Sequence, residues 1–251
     1  MKHKPRIIAL IPARSGSERV KNKNILNFFG HPLLAYAINS AVKTNLFDKI
    51  IVSTDSNHYA KIANYYGAEI PFLRPKKIST SISSDYSWIK YTLSKLANKK
   101  IIFDYFFILR PVNPFRTSKT INRAWKFFRK KKNISLRAVE LCDQHPAKMW
   151  SLRKGFIFPL IKGTHKGQPL YSCQYKTLPK IYVQNASLEI SKVNVLTKNR
   201  SIVGKKIIPF FTNKYEGLDI NNFYDLYYAK YLVKKKILKF EDIKKKSFFK
   251  K

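Results

Sequence analysis

The feature that most restricts how this chain can fold is a short apolar run that leads directly into a long polar loop. Residues 7–11 read IIALI, and residues 12–24 read PARSGSERVKNKN. A continuous apolar run of this length is typical of a strand that is buried on both faces of a parallel sheet. In an open parallel sheet, ligands bind beyond the carboxyl ends of the strands. The sequence therefore predicts a ligand-binding loop directly after the first strand.

The composition of this loop indicates phosphate binding. One glycine, two serines and four cations lie in it, namely Gly16, Ser15, Ser17, Arg14, Arg19, Lys21 and Lys23. Backbone N–H groups and fixed positive charges in such a loop can bind phosphate oxygens. The loop has neither the GxxxxGK[ST] pattern of a P-loop nor the GxGxxG pattern of a dinucleotide-binding fold. A basic surface loop without a ligand is the other interpretation, and the position after the first strand favours the functional one.

Strand-like and helix-like segments alternate along the first part of the chain. Further strands are expected at residues 49–54, 70–73, 105–109 and 134–140, and helices at 33–42, 59–66, 85–96 and 117–128. Strands separated by helices of this length predict βαβ units. We therefore expect an α/β fold with a three-layer, mostly parallel, Rossmann-like sheet.

The alternation breaks between about residue 142 and residue 183. Prolines punctuate short β-like pieces there, at Pro146, Pro159, Pro169 and Pro179. We interpret this stretch as an arm inserted into a single domain that spans residues 1–251. Its apolar residues have no evident core of their own, which favours a homodimer formed through the arm. A regular pattern returns at residues 187–190 and 207–211, followed by a last helix from about Phe223 to Val233.

The net charge is unusually high: the chain has 50 Lys and Arg residues and 14 Asp and Glu residues, which gives +36. A polyanionic partner such as nucleic acid is one interpretation, and a lysine-rich solvent face is the other. The lysines are scattered along the whole chain, so we favour the second and expect no specific nucleic acid. No apolar stretch approaches the roughly 20 residues of a membrane helix, so we expect no membrane partner. The only cysteines, Cys142 and Cys173, are far apart, which favours a reducing cytoplasm.

The loop PARSGSERVKNKN resembles the signature loop of the acylneuraminate cytidylyltransferases, the CMP-sialic acid synthetases. Further motifs follow in the order of that family over nearly the whole chain: IIVSTDS (50–56), LRP (73–75), SSD (83–85), ILRPVNPFR (108–116), DQHPAKMW (143–150), YVQNASLEI (182–190) and EGLDIN (216–221). The resemblance implies a nucleotidyltransferase fold. It also implies transfer of CMP from CTP to the anomeric hydroxyl of an acidic keto sugar of the N-acylneuraminate, legionaminate or pseudaminate type, with release of pyrophosphate.

The resemblance also implies roles for particular positions. The catalytic residues would be Arg14, Lys23 and Asp219, with Asp219 binding Mg²⁺ or, in its place, Mn²⁺. The nucleotide-binding residues would be Ala13, Arg14, Ser15, Gly16, Ser17, Lys23, Asn24, Arg74 and Asp85. The sugar-binding residues would be Arg110, Arg116, Lys148, Gln184 and Asn185. The partners would be CTP, the sugar acid and a second copy of the chain.

Two positions depart from the family pattern. Asn221 stands where the family has the second carboxylate of an Asp-x-Asp pair, and we expect it to cap the helix near Phe223 instead. The second metal ligand could then be Asp85 or phosphate oxygens. Arg110 stands where the family has Gln, and a cation there could pair with the sugar carboxylate. Asp55, at the end of a strand, is expected to cap the helix that follows.

Two other functions remain open. One is a nucleotidyltransferase of the same fold that acts on another sugar or alcohol phosphate. The other is a basic nucleic-acid-binding protein that relies on the +36 charge. The residues themselves agree with phosphoryl transfer, because attack on an α-phosphate requires cations, a hard metal and in-line geometry rather than a covalent intermediate.

Overall fold

The structure, a computed structural model, describes residues 4–131 and 135–250. Residue 134, where a strand was expected to begin, lies outside these ranges. The chain forms two compact units. The core unit comprises Met1–Ala138 and Asn185–Lys251, and the arm unit comprises Val139–Gln184. The arm unit covers the stretch in which the strand–helix alternation breaks.

Strands and helices alternate in the order that the sequence predicts for an α/β protein. The strands are β1 (Ile7–Pro12), β2 (Asn27–Phe28), β3 (His31–Pro32), β4 (Lys49–Ser53), β5 (Tyr105–Ile108), β6 (Ser135–Leu141), β7 (Trp150–Arg153), β8 (Phe156–Pro159), β9 (Thr164–His165), β10 (Gln168–Pro169), β11 (Tyr182–Lys192) and β12 (Ile207–Phe211). The helices are α1 (Leu33–Val42), α2 (Asn57–Tyr66), α3 (Asp85–Ala97), α4 (Ser118–Lys130), α5 (Val195–Lys198) and α6 (Phe223–Lys234).

The main sheet has six strands in the order β12-β6-β11-β5-β1-β4. Strand β1 runs parallel to both of its neighbours, β4 and β5, whereas β11 runs antiparallel to β5. The expected mostly parallel α/β sheet is therefore confirmed. The strand expected at residues 70–73 was wrong: only Glu69 forms a bridge, with Ile51. Pro71 lacks the N–H group that a continued ladder would need.

Two hydrophobic cores lie on opposite faces of this sheet. Alternate side chains of β1 point to opposite faces, so Ile7, Ala9 and Ile11 join one core and Ile8 and Leu10 join the other. Helices α1, α2 and α4 contribute to the first core, and helices α3 and α5 contribute to the second. Each fully buried Ile or Leu side chain contributes about 1.5–3 kcal/mol. The result is the expected three-layer arrangement, in which the sheet is the middle layer.

The helix caps differ from the sequence-based expectation at two positions. Helix α2 is capped by Ser56, whose hydroxyl accepts an N–H of the first turn, so the prediction that Asp55 caps it was wrong. Helix α6 is capped by Asn222, which accepts the N–H of Asp225 at 2.9 Å, so the prediction for Asn221 was also wrong. An N-cap directly precedes the first helical residue, and both predictions missed that position by one residue. Asp55 and Asn221 are thereby left for other contacts.

The arm unit contains two small hairpins, β7–β8 and β9–β10. Its buried cluster is small and consists of Ala147, Cys173 and Leu178. His145 holds the start of the arm, since it accepts the N–H of Ala147 and its Nε2 lies 2.9 Å from the carbonyl oxygen of Pro179. The hairpin β7–β8 exposes apolar side chains, among them Leu152 and Phe156. In the part of the chain that the structure describes, no helix is long and apolar enough to cross a membrane.

Candidate active site

Residues 13–24 form the loop that follows β1, which we call the basic loop. The loop folds back on itself: the Arg14 guanidinium donates to the carbonyl of Gly16, and the N–H of Ser17 donates to the carbonyl of Ser15 at 2.9 Å. The side chain of Asn24, which is buried, donates to the carbonyl of Arg14 at 3.0 Å. The main chain around Arg14 is therefore fixed from inside the loop, at the carboxyl end of β1.

The basic loop is also anchored to the end of the neighbouring strand β4. Asp55 accepts two hydrogen bonds from Ser15, one from its N–H and one from its hydroxyl, each at 2.8 Å. Both donors of Ser15 are therefore bonded within the protein, although the family resemblance assigns Ser15 to the nucleotide. Sequence reasoning missed this role of Asp55. The signal was present, because parallel neighbouring strands end at the same edge of a sheet.

A second connection joins the basic loop to the GLDIN segment that precedes helix α6. The Nζ atom of Lys23 lies 3.2 Å from Oδ1 of Asn221, and the Asn221 amide donates to Asp219 at 2.7 Å. The N–H of Ile220 donates to the carbonyl of Val112 at 2.8 Å, which ties this segment to the loop after β5. The structure thus brings together the three residues that the resemblance assigns to catalysis at one edge of the sheet, since Lys23 interacts electrostatically with Asp219 and with Arg14.

The environment of Lys23 lowers the pKa of its ammonium group. Burial is the main cause, and the positive charge of Arg19 adds to it. Asp219 acts in the opposite direction but does not reverse the shift. Lys23 is therefore a cation in a partly desolvated place, where binding a phosphate would relieve an unfavourable charge.

Arg74 and Trp88 lie beside the end of β4. The Arg74 guanidinium donates to the hydroxyl of Ser53 at 2.9 Å and to its carbonyl at 2.7 Å, and it lies 4.9 Å from the centre of the Trp88 ring. Burial lowers the pKa of Arg74 to about 10. The Trp88 indole donates to Asp85 at 2.8 Å. These contacts fix Arg74 and Asp85, two of the predicted nucleotide-binding residues, against the sheet.

Arg110 takes part in a network of four charges, which sequence reasoning did not foresee. Its guanidinium lies 2.6 Å from Asp85 and 2.9 Å from Glu189, and Arg137 lies 2.6 Å from the other oxygen of Glu189. Burial acts to lower the pKa of Arg110, but the two carboxylates raise it overall. Burial likewise acts to raise the pKa of Asp85, yet Arg110 lowers it overall. Arg110 thus pairs with two carboxylates of the protein, and its guanidinium is not left free for the carboxylate of a sugar.

The network also bears on the metal ligands. Both oxygens of Asp85 accept donors from the protein, one from Arg110 and one from Trp88, which disfavours Asp85 as a magnesium ligand. Arg137 and Glu189 were missed at the sequence level. Each is a charged residue between two apolar neighbours of a strand, in SLRAVEL and YVQNASLEISK, and opposite charges so placed in two strands indicate a buried ion pair.

Arg116 and Asn185 lie in the interior of the core unit. Arg116 is 1% exposed and donates to the carbonyls of Arg110 and Ser187, at 3.1 Å and 2.6 Å. Burial lowers the pKa of Arg116 to about 9. Asn185 donates to the Thr212 hydroxyl at 2.9 Å. Arg116 therefore holds main chain after the end of β5, and Asn185 joins β11 to the residue that follows β12.

The other two predicted sugar-binding residues, Lys148 and Gln184, belong to the arm unit. The ammonium group of Lys148 donates to the carbonyls of Tyr171 and Cys173 at 2.7 Å and 2.5 Å. Gln184 is exposed. Lys148 thus joins the turn at residues 146–148 to the segment that follows β10.

The oxygen atoms near Lys23 suit a hard cation that needs few ligands from the protein. Asp219 supplies a carboxylate and Asn221 supplies an amide oxygen, and Mg²⁺ prefers such oxygens while it keeps several waters. Across residues 4–131 and 135–250, no cluster of three or more His, Cys, Asp and Glu side chains could hold a metal by itself. The residues therefore fit a magnesium ion whose remaining ligands are phosphate oxygens and water molecules.

Comparison with known proteins agrees with this geometry. The model of the family described as cytidylyltransferase matches residues 8–149. An N-acylneuraminate cytidylyltransferase of Escherichia coli O18:K1:H7 is 43% identical over 123 residues, which cover 49% of this chain and 28% of that protein. A CMP-N,N'-diacetyllegionaminic acid synthase of Legionella pneumophila is 29% identical over 222 residues, which cover 86% of this chain and 91% of that protein.

A solved structure of CMP:2-keto-3-deoxy-manno-octonic acid synthetase complexed with CTP has the same fold. The TM-score is 0.65 with 12% sequence identity, and the match covers 92% of this chain and 99% of the other. The expected nucleotidyltransferase fold is thereby confirmed, and so is the resemblance to acylneuraminate cytidylyltransferases. Because the family model spans more than half of its residues, the chain belongs to the cytidylyltransferase family.

Proposed function

We propose that this chain transfers CMP from CTP to the anomeric hydroxyl of an acidic keto sugar and releases pyrophosphate. The observation that carries the proposal is the contact between Lys23 and Asn221, since it places a cation of the basic loop beside the Asp219 carboxylate. Relatives named for N-acylneuraminate, legionaminic acid and pseudaminic acid support a sugar acid of this type.

The chemistry asks the protein to stabilise charge. The sugar oxygen forms a bond to the α-phosphorus of CTP while the bond to the leaving pyrophosphate breaks, and negative charge grows on the phosphoryl oxygens. Arg14 and Lys23 would bind those oxygens, because both cations belong to the loop at the carboxyl end of β1. To do so, the Arg14 guanidinium would exchange the Gly16 carbonyl for a phosphate.

We propose Mg²⁺ as the cofactor, with Mn²⁺ as a substitute. Asp219 would hold it, and the Asn221 amide oxygen could add a neutral ligand once Lys23 turns to a phosphate. When bound, the metal would neutralise charge on the triphosphate oxygens. The single carboxylate fits this role, because Mg²⁺ commonly takes one or two carboxylates together with phosphates.

We further propose a homodimer that forms through the arm unit and works in the cytoplasm. The arm has a small buried cluster but exposes Leu152, Phe156 and Leu160, which are 73%, 71% and 60% exposed. Contiguous exposed apolar side chains are typical of a protein–protein interface. Both cysteines carry free thiols, the state that a reducing compartment maintains. Light scattering at micromolar concentration tests the dimer, and a monomer would contradict it.

The test of the function is pyrophosphate release from CTP against a panel of nine-carbon and eight-carbon keto sugar acids. We expect release with CTP and at least one sugar acid, and much less with ATP, GTP or UTP. Release only with a sugar phosphate or an alcohol phosphate would favour another nucleotidyltransferase activity. Absence of release with every pair of substrates would contradict the proposal.

A further inference from the structure

We propose that Asp55 is a positioning residue for CMP transfer, which holds the basic loop in its working shape through Ser15. The inference rests on the proposed function. Asp55 accepts both the N–H and the hydroxyl of Ser15, at 2.8 Å each, and these two residues are 40 positions apart in the chain. A carboxylate with two such bonds fixes the position and the orientation of the main chain next to Arg14.

The charge of Asp55 argues for this role. A carboxylate close to a triphosphate site repels the substrate, so a negative charge is unfavourable there unless it has another purpose. Both Asp55 oxygens face donors of the basic loop, and Asp55 also interacts electrostatically with Arg74. The Asp55 carboxylate therefore interacts with groups of the protein itself, and its role in the site is to fix the position of the basic loop.

Asp55 belongs to the segment 53–59, which connects β4 to α2 and which we call the corner. The corner contacts the basic loop in three places. Besides the bonds to Ser15, the N–H of Ala13 donates to the carbonyl of Ser53 at 3.0 Å. The hydroxyl of Tyr59 donates to the side chain of Asn22 at 3.1 Å. Ser53 ends strand β4 and Tyr59 is a buried residue of helix α2, so the corner is built on rigid elements. A site held by such elements keeps its groups aligned, and a displacement of about 1 Å can cost on the order of 100-fold in rate.

The same contacts determine which groups remain for the phosphates. Both donors of Ser15 are bonded to Asp55, and the N–H of Ser17 is bonded to the carbonyl of Ser15. Phosphate binding therefore falls to the cations Arg14 and Lys23. Ser15 acts on the reaction through the shape of the loop and not as a phosphate ligand.

The test compares five variants in steady-state kinetics of pyrophosphate release: four single variants and one double variant. We expect Asp55→Ala to lower kcat about 10- to 100-fold, with a smaller change in the KM for CTP. Asp55→Asn keeps one acceptor oxygen and should recover part of kcat. In the Ser15→Ala background, Asp55→Ala should lower kcat by a smaller factor than in the wild type. Asp48→Asn is the matched control, since Asp48 accepts the N–H of Ile7 at the other end of β1.

Three outcomes would overturn the proposal: a wild-type kcat in Asp55→Ala, the same kcat factor with and without the Ser15 hydroxyl, or equal losses in Asp55→Ala and the Asp48 control. Hydrogen exchange at residues 13–17 gives a readout besides activity. We expect the Ser15 amide to exchange at least 10-fold faster in Asp55→Ala, and unchanged exchange would contradict the proposal. If the wild-type chain releases no pyrophosphate, the proposed function fails, and the exchange measurement still decides the role of Asp55 in the loop.

Discussion

The Nζ atom of Lys23 lies 3.2 Å from the Oδ1 atom of Asn221, a residue 198 positions later in the chain. This contact joins the basic loop to the segment that carries Asp219. The partner of Lys23 is a neutral amide, so its charge is only partly compensated, and burial lowers the pKa of its ammonium group. The pair therefore links the protonation of a phosphate-binding cation to the residue at position 221.

Replacement of Asn221 by Asp should move the alkaline limb of the pH–rate profile upward. Lys23 has a lowered pKa and loses its proton as the pH rises through that value, and phosphate binding weakens with it. A carboxylate at 221 favours the charged ammonium, so the cation should persist to higher pH. The measurement is kcat/KM for CTP as a function of pH. Asn199→Asp, which adds the same charge at an exposed position, is the control. An unmoved limb would contradict this prediction.

Asp219→Asn should nearly abolish pyrophosphate release, and the wild-type enzyme should require Mg²⁺ or Mn²⁺. The reason is that Asp219 is the carboxylate beside Lys23, and a neutral amide there holds a divalent cation poorly. The measurement is a titration with MgCl₂ after treatment with EDTA. Glu18→Gln removes the same charge from an exposed residue of the basic loop and should stay active. Full activity of Asp219→Asn without added metal would show that the assignment is wrong.

Arg14→Ala should lose turnover while it keeps its fold. Removal of one preorganised group that stabilises transition-state charge costs about 2.7–4 kcal/mol, or on the order of 10²–10³ in rate. Loss of the half-buried Arg14 side chain should change stability by less than about 1 kcal/mol. Melting temperature and kcat separate the two effects, and Lys21→Ala in the same loop is the control. A variant that unfolds easily would instead identify Arg14 as a structural tether.

Glu189→Gln should lower the free energy of unfolding by about 3–5 kcal/mol, because it leaves the charges of Arg110 and Arg137 without their shared carboxylate. The Glu189 side chain is only 6% exposed, so solvent screens the pair weakly. Glu69→Gln breaks the exposed pair with Lys49 and should cost less than about 1 kcal/mol. Urea denaturation of the two variants measures the difference. Equal stabilities would mean that the network contributes little.

Several features of this protein could be predicted from the sequence because they depend on neighbouring residues. The apolar run at residues 7–11 gave the buried strand β1, and the spacing of apolar residues gave helices α1, α3 and α4 close to their observed bounds. The order of the motifs gave the family, which the comparisons confirm. The roles of the individual site residues stay predictions, and the variants above test them.

Only the tertiary structure decided which side chains meet. Sequence alone left Asp55 and Asn221 as helix caps and Arg110 as a cation for the sugar, whereas the folded chain pairs them with Ser15, Lys23 and Glu189. These partners are separated by 40, 198 and 79 positions. Local periodicity reports which face of an element is buried, but it carries no information on which distant strand ends adjoin. For Asp55 and Arg110 that adjacency follows from the strand order of the sheet, because β4 lies beside β1 and β11 lies beside β5. For Asn221 it follows from a loop contact, because the neighbouring Ile220 donates its N–H to the carbonyl of Val112, after β5.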